Sequence, residues 1–110
     1  MKSYILVALV LIGTGFAGCA APPSYKIDGA RLHMYLMKPE AREVYFASSI
    51  DAFVLHPTRL NDSDTWEAVI PLGHGFRYFF IADGRITLPP CRYKERDDFG
   101  SQNCIFVPDL

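Results

Sequence analysis

Residues 76–88, with the sequence FRYFFIADGRITL, carry the clearest secondary-structure signal in the chain. The run up to Ala82 is the most hydrophobic of the expected strands, and its aromatic residues favour a pleated, half-buried strand. Asp83-Gly84 follows at once, and this dipeptide is typical of the two-residue turn of a β-hairpin. Residues 85–88 then return as a second strand. We therefore predict a β-hairpin in the second half of the chain.

Outward from this hairpin, turn signals recur about every ten residues and separate short runs of aromatic and β-branched residues. Further strands are predicted at 31–37, 43–48, 65–72 and 103–107, with a short one at 53–55. The segment 89–102 reads as a long polar loop, and no window shows the 3.6-residue apolar period of a helix. The pattern predicts an all-β chain of about seven strands, which suits a small two-sheet sandwich.

Composition excludes several classes of protein. The chain has 110 residues, enough for a single domain, and 11 Lys and Arg balance 12 Asp and Glu. A binder of nucleic acid normally shows a basic stripe, which is missing from this sequence. Half of the residues are hydrophobic, so the composition also argues against a disordered chain.

The N-terminus reads as a lipoprotein signal peptide over residues 1–18. A short basic start is followed by an apolar run that ends near Phe16, shorter than the roughly 20 residues a membrane-spanning helix needs. The sequence FAGC (16–19) then resembles a bacterial lipobox, in which the cysteine is acylated and becomes the mature N-terminus. Cys19 is thus the expected lipidation site. The alternatives are an ordinary secretory signal and a buried apolar strand.

This interpretation places the protein at the bacterial cell envelope, held to a membrane by its N-terminal lipid. Lipoprotein processing adds several acyl chains, which anchor a protein far more firmly than one chain does. Ala20 and Ala21 follow the cysteine and no Asp stands there, a pattern that favours the outer membrane in a diderm bacterium. Residues 19–29 are expected to be a lipidated tether, and residues 30–110 the folded domain.

Three cysteines are present, and a lipid on Cys19 leaves Cys91 and Cys104 as one pair. In an oxidising compartment such a pair forms a disulfide. Reduced structural cysteines are one alternative. A metal site is another, but two cysteines without a nearby histidine supply only half of a tetrahedral zinc shell. We predict a disulfide between Cys91 and Cys104, with no cofactor or metal.

Four segments follow one another in a characteristic order: EVYF (43–46), TWEAVIPL (65–72), FRYFFIADG (76–84) and DFGSQN (98–103). Together they resemble the glycogen-binding module, which occurs in the β-subunit of AMP-activated protein kinase and at the N-terminus of isoamylases and branching enzymes. The resemblance covers essentially the whole folded part. It implies an immunoglobulin-like β-sandwich of the early-set type, with Trp66 packed into the core.

The resemblance also indicates a ligand face. Family members that bind α-glucans stack sugars on two tryptophans and hold hydroxyls with a lysine and an asparagine. Here Phe53 and Ile86 occupy the tryptophan positions and Phe79 occupies that of the lysine, whereas Asn103 matches. The four residues are expected to share one face of the sandwich, on which three of them are apolar. The fold alone therefore does not imply the family's ligand.

The apolar replacements predict a partner surface. Strand alternation, oriented by the resemblance, turns Tyr78 and Phe80 inward and Phe79 outward, beside Ile86 and near Phe53. We expect an exposed apolar patch of a few hundred Å², a size that often marks an interaction site. The alternative is that the N-terminal segment or the loop at 89–102 folds over the patch and buries it.

Catalysis has no visible apparatus in the sequence. Asp97-Asp98 reads as a solvated turn, and His33 and His56 have no neighbouring nucleophile with a base pattern. The leading hypothesis is a non-catalytic envelope lipoprotein whose sandwich recognises another envelope protein, as yet unidentified. The alternative is a lipoprotein that binds a carbohydrate related to α-glucans through a degenerate sugar site.

Overall fold

The computed structural model describes residues 23–108, which form ten β-strands and one short 3₁₀ helix, Ser49–Asp51. The strands are β1 (Tyr25–Asp28), β2 (Arg31–Leu36), β3 (Val44–Ser48), β4 (His56–Pro57), β5 (Arg59–Leu60), β6 (Trp66–Pro71), β7 (Phe76–Ala82), β8 (Arg85–Thr87), β9 (Tyr93–Arg96) and β10 (Gln102–Phe106). The expected all-β fold is confirmed, with ten strands instead of about seven.

The strands form two antiparallel sheets, which pack face to face as a sandwich. The first sheet has the order β1-β2-β6-β5 and the second the order β4-β3-β7-β10-β9, with β8 also paired to β7. When β4, β8 and β9 are left out, the other seven strands can be lettered A to G in chain order. The first sheet then has the order A-B-E-D and the second has the order C-F-G, with β4 added at the edge beside strand C. This is the strand order of an immunoglobulin-like sandwich.

The core lies between the sheets, and β7 supplies its centre. Phe76, Tyr78, Phe80 and Ala82 are buried, whereas the side chains between them point to the outer face of the second sheet. This is the alternation that the sequence predicts. The rest of the core comes from alternate positions on the neighbouring strands: Leu32, Met34, Leu36, Val44, Phe46, Trp66, Ala68, Cys104 and Phe106.

The predicted hairpin turn joins β7 to β8. Asp83 and Gly84 have φ angles of 49° and 83°, the left-handed conformation that both central residues of a type I′ turn require. The carboxylate of Asp83 also accepts hydrogen bonds from the backbone amides of Arg42 and Glu43, with oxygen to nitrogen distances of 3.0–3.2 Å. One short turn thus reverses the chain and secures the loop before β3.

The extra strands lie in segments expected to be irregular. β1 falls within the expected tether, so the folded part begins at Tyr25 rather than after Gly29. β9 lies inside the segment expected to be a loop at 89–102. The short strand expected at 53–55 is wrong, because Ala52 and Phe53 have φ angles of 62° and 64°, which a strand cannot accommodate. β4 and β5 follow that turn instead.

Two predicted features of the core are confirmed. Cys91 and Cys104 form a disulfide, which joins the segment before β9 to the buried inner side of β10. Trp66 is buried at the start of β6, and its indole N–H donates to the carbonyl of Lys38 at 3.0 Å. Its polar atom is therefore satisfied while its ring fills the core.

The N-terminal predictions lie outside the described residues. They are the signal peptide at 1–18, the lipidation site Cys19 and the first residues of the tether. Within residues 23–108, no helix is long and apolar enough to cross a membrane.

Candidate functional site

Phe53, Phe79, Ile86 and Asn103 line one cleft of about 600 Å³ on the outer face of the second sheet. Three strands position three of them. Phe79 points outward from the middle of β7, Ile86 stands beside the outward Ile81 in the β7–β8 pairing, and Asn103 alternates with the buried Cys104 on β10. The structure thus brings together all four residues of the expected ligand face, although 50 positions separate the first from the last.

Phe53 reaches the cleft from a loop rather than from a strand. The 3₁₀ helix ends in two left-handed residues, Ala52 and Phe53, and the amide of Phe53 donates to the carbonyl of Ser48 at 2.8 Å. This conformation lays the Phe53 ring flat on Phe79, with centroids 5.6 Å apart and ring planes 10° apart. Residues other than glycine in this conformation are strained, and such strain is concentrated at functional sites.

Asn103 is the most deeply buried residue of the cleft, with 5% of its surface exposed. Its register partner is Glu95 on β9. Among the described residues, its side-chain amide makes no hydrogen bond, although it lines the cleft. No buried side-chain nitrogen or oxygen atom of the described residues lacks a hydrogen-bond partner, so the amide atoms of Asn103 reach solvent in the cleft. The amide is therefore available as a donor and acceptor to a molecule that enters the cleft.

Charged residues line the cleft around the stacked rings of Phe53 and Phe79. Arg77 on β7 and Glu95 on β9 form an ion pair at 3.2 Å, and Arg96 and Asp98 also line the cleft. Asp97 has a structural role, since its carboxylate accepts from the amides of Phe99 and Ser101 at 2.9 Å and fixes the β9–β10 turn. The predicted solvated turn at Asp97-Asp98 is confirmed, with Asp97 capping the turn, and both residues also line the cleft.

The apolar residues of the cleft differ in their exposure to solvent. Phe53 and Phe79 are half-buried, whereas Ile86 is 53% exposed. The exposed apolar patch expected from the sequence is therefore present only in part, since Phe53 and Phe79 are half-buried and charged residues of β9 and the following turn line the cleft beside them. Phe99, at the tip of that turn, is 93% exposed and was not singled out as an interaction residue by sequence reasoning. The one feature of the sequence that could have indicated its exposure is its position before Gly100 in a segment predicted to be a loop.

Two histidine–carboxylate pairs lie away from the cleft. His33 on β2 contacts Glu67 on β6, and His56 contacts Asp51. In the part of the chain that the structure describes, neither imidazole hydrogen-bonds to a serine or cysteine, and no cluster of three metal-ligating side chains occurs. These pairs connect strands and loops of the sandwich.

No protein-family model matches the chain, and no curated protein sequence matches it. The cleft must therefore be interpreted from its own residues. It combines a stacked aromatic pair, an exposed isoleucine, an asparagine amide that lines the cleft and several charged residues, which together suit the binding of a ligand or partner.

Proposed function

We propose that this chain is a non-catalytic binding module, held at the bacterial cell envelope by lipid on Cys19. In this proposal the sandwich is related to the glycogen-binding module, and its cleft recognises another envelope protein. The observation that carries the proposal is the convergence of Phe53, Phe79, Ile86 and Asn103 on one cleft. The order of the strands in the two sheets supports the relationship to immunoglobulin-like binding domains.

A protein partner fits the mixture of groups at the cleft. Interfaces concentrate their binding energy in a few aromatic and aliphatic anchors, surrounded by polar groups that exclude water. Here Ile86 is the exposed anchor in the cleft, Phe99 is exposed on the adjacent β9–β10 turn, and the Arg77–Glu95 ion pair belongs to the surrounding polar groups. An envelope protein with a complementary apolar side chain would bury Ile86 and contact the exposed face of Phe53.

Photo-crosslinking in the membrane of producing cells tests this proposal. A photoreactive amino acid replaces Ile86 in the full chain, and Val69 is the matched control because it is 48% exposed on the outer face of the first sheet. We expect one defined crosslinked protein from position 86 and none from position 69. Equal crosslinking from both positions, or none from position 86, would contradict the proposal.

A glycan is the second candidate ligand, and Asn103 is the observation that favours it. A sugar ring can stack on Phe53 while its hydroxyls bond to the side-chain amide of Asn103, which lines the same cleft. Retention of the full-length protein on polysaccharide columns tests this candidate. Retention that disappears in both Phe53→Ala and Asn103→Ala, and persists in Val69→Ala, would replace the protein partner with a glycan.

A further inference from the structure

The β1 edge, Tyr25–Asp28, is an open edge of the first sheet. β1 pairs with β2 on one side, and no described strand pairs with it on the other. All four residues are exposed. Natural sheets protect such edges with short strands, charged side chains, proline or bulges. β1 is a four-residue strand that carries Lys26 and Asp28, so its charges disfavour pairing with an unrelated strand but allow pairing with a strand of complementary charge.

The hydrogen-bond pattern shows which backbone groups of β1 point away from β2. The amide of Tyr35 donates to the carbonyl of Ser24, which makes Ser24 and Tyr35 a hydrogen-bonded pair. In an antiparallel ladder every second pair bonds in this way, so Lys26 and Asp28 direct their backbone groups to β2. Tyr25 and Ile27 therefore direct their N–H and C=O groups to the open side.

The side chains of the β1 edge divide between two faces. Tyr25 and Ile27 lie on the face of the sheet that is directed toward the core and remain 37% and 44% exposed, and the Tyr25 ring contacts Phe106 with ring centroids 5.0 Å apart. Lys26 and Asp28 lie on the outer face, and neither forms an ion pair with another described residue. The open edge thus offers an apolar side chain inside and two opposite charges outside.

These features are complementary to a second copy of the same strand. When two β1 edges pair antiparallel with Ile27 opposite its counterpart, the two Ile27 residues exchange both backbone hydrogen bonds. Lys26 of each copy then faces Asp28 of the other across a non-bonded pair, where side chains approach most closely. The two symmetric registers one step away place either the two Lys26 residues or the two Asp28 residues opposite each other, and like charges there are unfavourable.

We propose that the lipid-anchored chain forms a symmetric dimer through the β1 edge, which joins the first sheets of two copies into one eight-stranded sheet. A contact of four residues per copy buries less surface than the roughly 800 Å² that each partner buries in a stable interface. Anchoring both copies in one membrane raises their effective concentration and compensates for the small contact. The proposal rests on the lipid anchor of the proposed function, and it is independent of what the cleft binds.

Oxidative crosslinking of the full-length protein in phospholipid vesicles tests the register. With Ile27→Cys, the two cysteines stand opposite each other, within the separation of up to about 7 Å between Cα atoms that a disulfide allows. With Lys26→Cys, the two cysteines are displaced by two residues along the strands and stay apart. We expect covalent dimers from the first variant only. Equal dimer yield from both, or none from Ile27→Cys, overturns the proposal.

Charge reversal gives an independent test in the Ile27→Cys background. Lys26→Asp and Asp28→Lys each place like charges opposite one another in a self-pair, and we expect each to lower the dimer yield about fivefold. A mixture of these two variants places opposite charges together at both positions, so mixed dimers should form at the original yield. Failure of the mixture to recover would refute the pairing. Flotation of the protein with the vesicles verifies membrane attachment in every sample.

Discussion

The rings of Phe53 and Phe79 lie parallel, with centroids 5.6 Å apart and an angle of 10° between their planes. Phe79 is fixed by the ladder of β7, whereas Phe53 is held over it by a loop residue with a φ angle of 64°. The stack therefore closes one side of a cleft at the cost of backbone strain.

The first prediction concerns the backbone strain at Phe53. Phe53→Gly and Phe53→Ala both remove the ring, but only glycine adopts a positive φ angle without steric cost. We expect Phe53→Gly to have the larger free energy of unfolding of the two, by about 1 kcal/mol. Urea denaturation of the two variants checks this. Equal stability would show that the loop does not hold residue 53 in the left-handed conformation.

The second prediction concerns the core at β7. Phe80 is completely buried, so Phe80→Ala leaves a cavity and should cost about 3–5 kcal/mol. Phe99→Ala is the matched control, since Phe99 is 93% exposed and its removal should change stability by less than about 0.5 kcal/mol. Thermal unfolding of both variants compares them. Similar losses would mean that Phe99 packs against the domain.

The third prediction concerns the disulfide. Cys91 and Cys104 close a loop with a sequence separation of 13, and a crosslink over such a loop stabilises by about 3 kcal/mol. We expect the non-reduced protein to yield a peptide that joins the two cysteines, and reduction to lower the melting temperature. A Cys91→Ser variant should melt at the same lower temperature with or without reductant. Two free thiols in freshly isolated protein would contradict the pairing.

The fourth prediction concerns alkaline pH. Burial raises the pKa of the Tyr78 phenol to about 12 from its ordinary value of 10.0. The folded state therefore holds the proton more tightly than the unfolded state, so Tyr78 contributes full stability below pH 10 and loses that contribution as the pH rises toward 12. Tyr78→Phe should show a shallower decline of the free energy of unfolding over this range. An equally steep decline in the variant would assign the effect to other groups.

Much of the sandwich could be predicted because its strands have strong local signals. The alternation of β7 and the Asp83-Gly84 turn specify a hairpin from neighbouring residues alone, and the structure has both. β1 and β9 were missed because each is a four-residue edge strand with charged residues, whose burial is too low to produce a hydrophobic pattern. Such strands form because an existing sheet offers hydrogen bonds to them.

The cleft was predictable only in part, for a similar reason. Phe79, Ile86 and Asn103 follow strand alternation, so their common face can be inferred from the resemblance. The position of Phe53 depends on two left-handed residues that no local sequence signal marks. Glu95 and Asp97 were assigned to a loop, and their role in the cleft wall depends on the pairing of β9 with β10.

We propose that the outer face of the second sheet, at the cleft, binds a partner in the envelope. The most direct test of this proposal is quantitative isolation of the crosslinked partner from cells that produce Ile86→Lys, Phe79→Lys or, as the control, Val69→Lys, each with the photoreactive group at position 99. Melting temperatures of the purified variants verify folding. We predict that Ile86→Lys and Phe79→Lys fold and lose the partner, whereas Val69→Lys retains it. Retention of the partner by folded Ile86→Lys would contradict binding of the partner at the cleft.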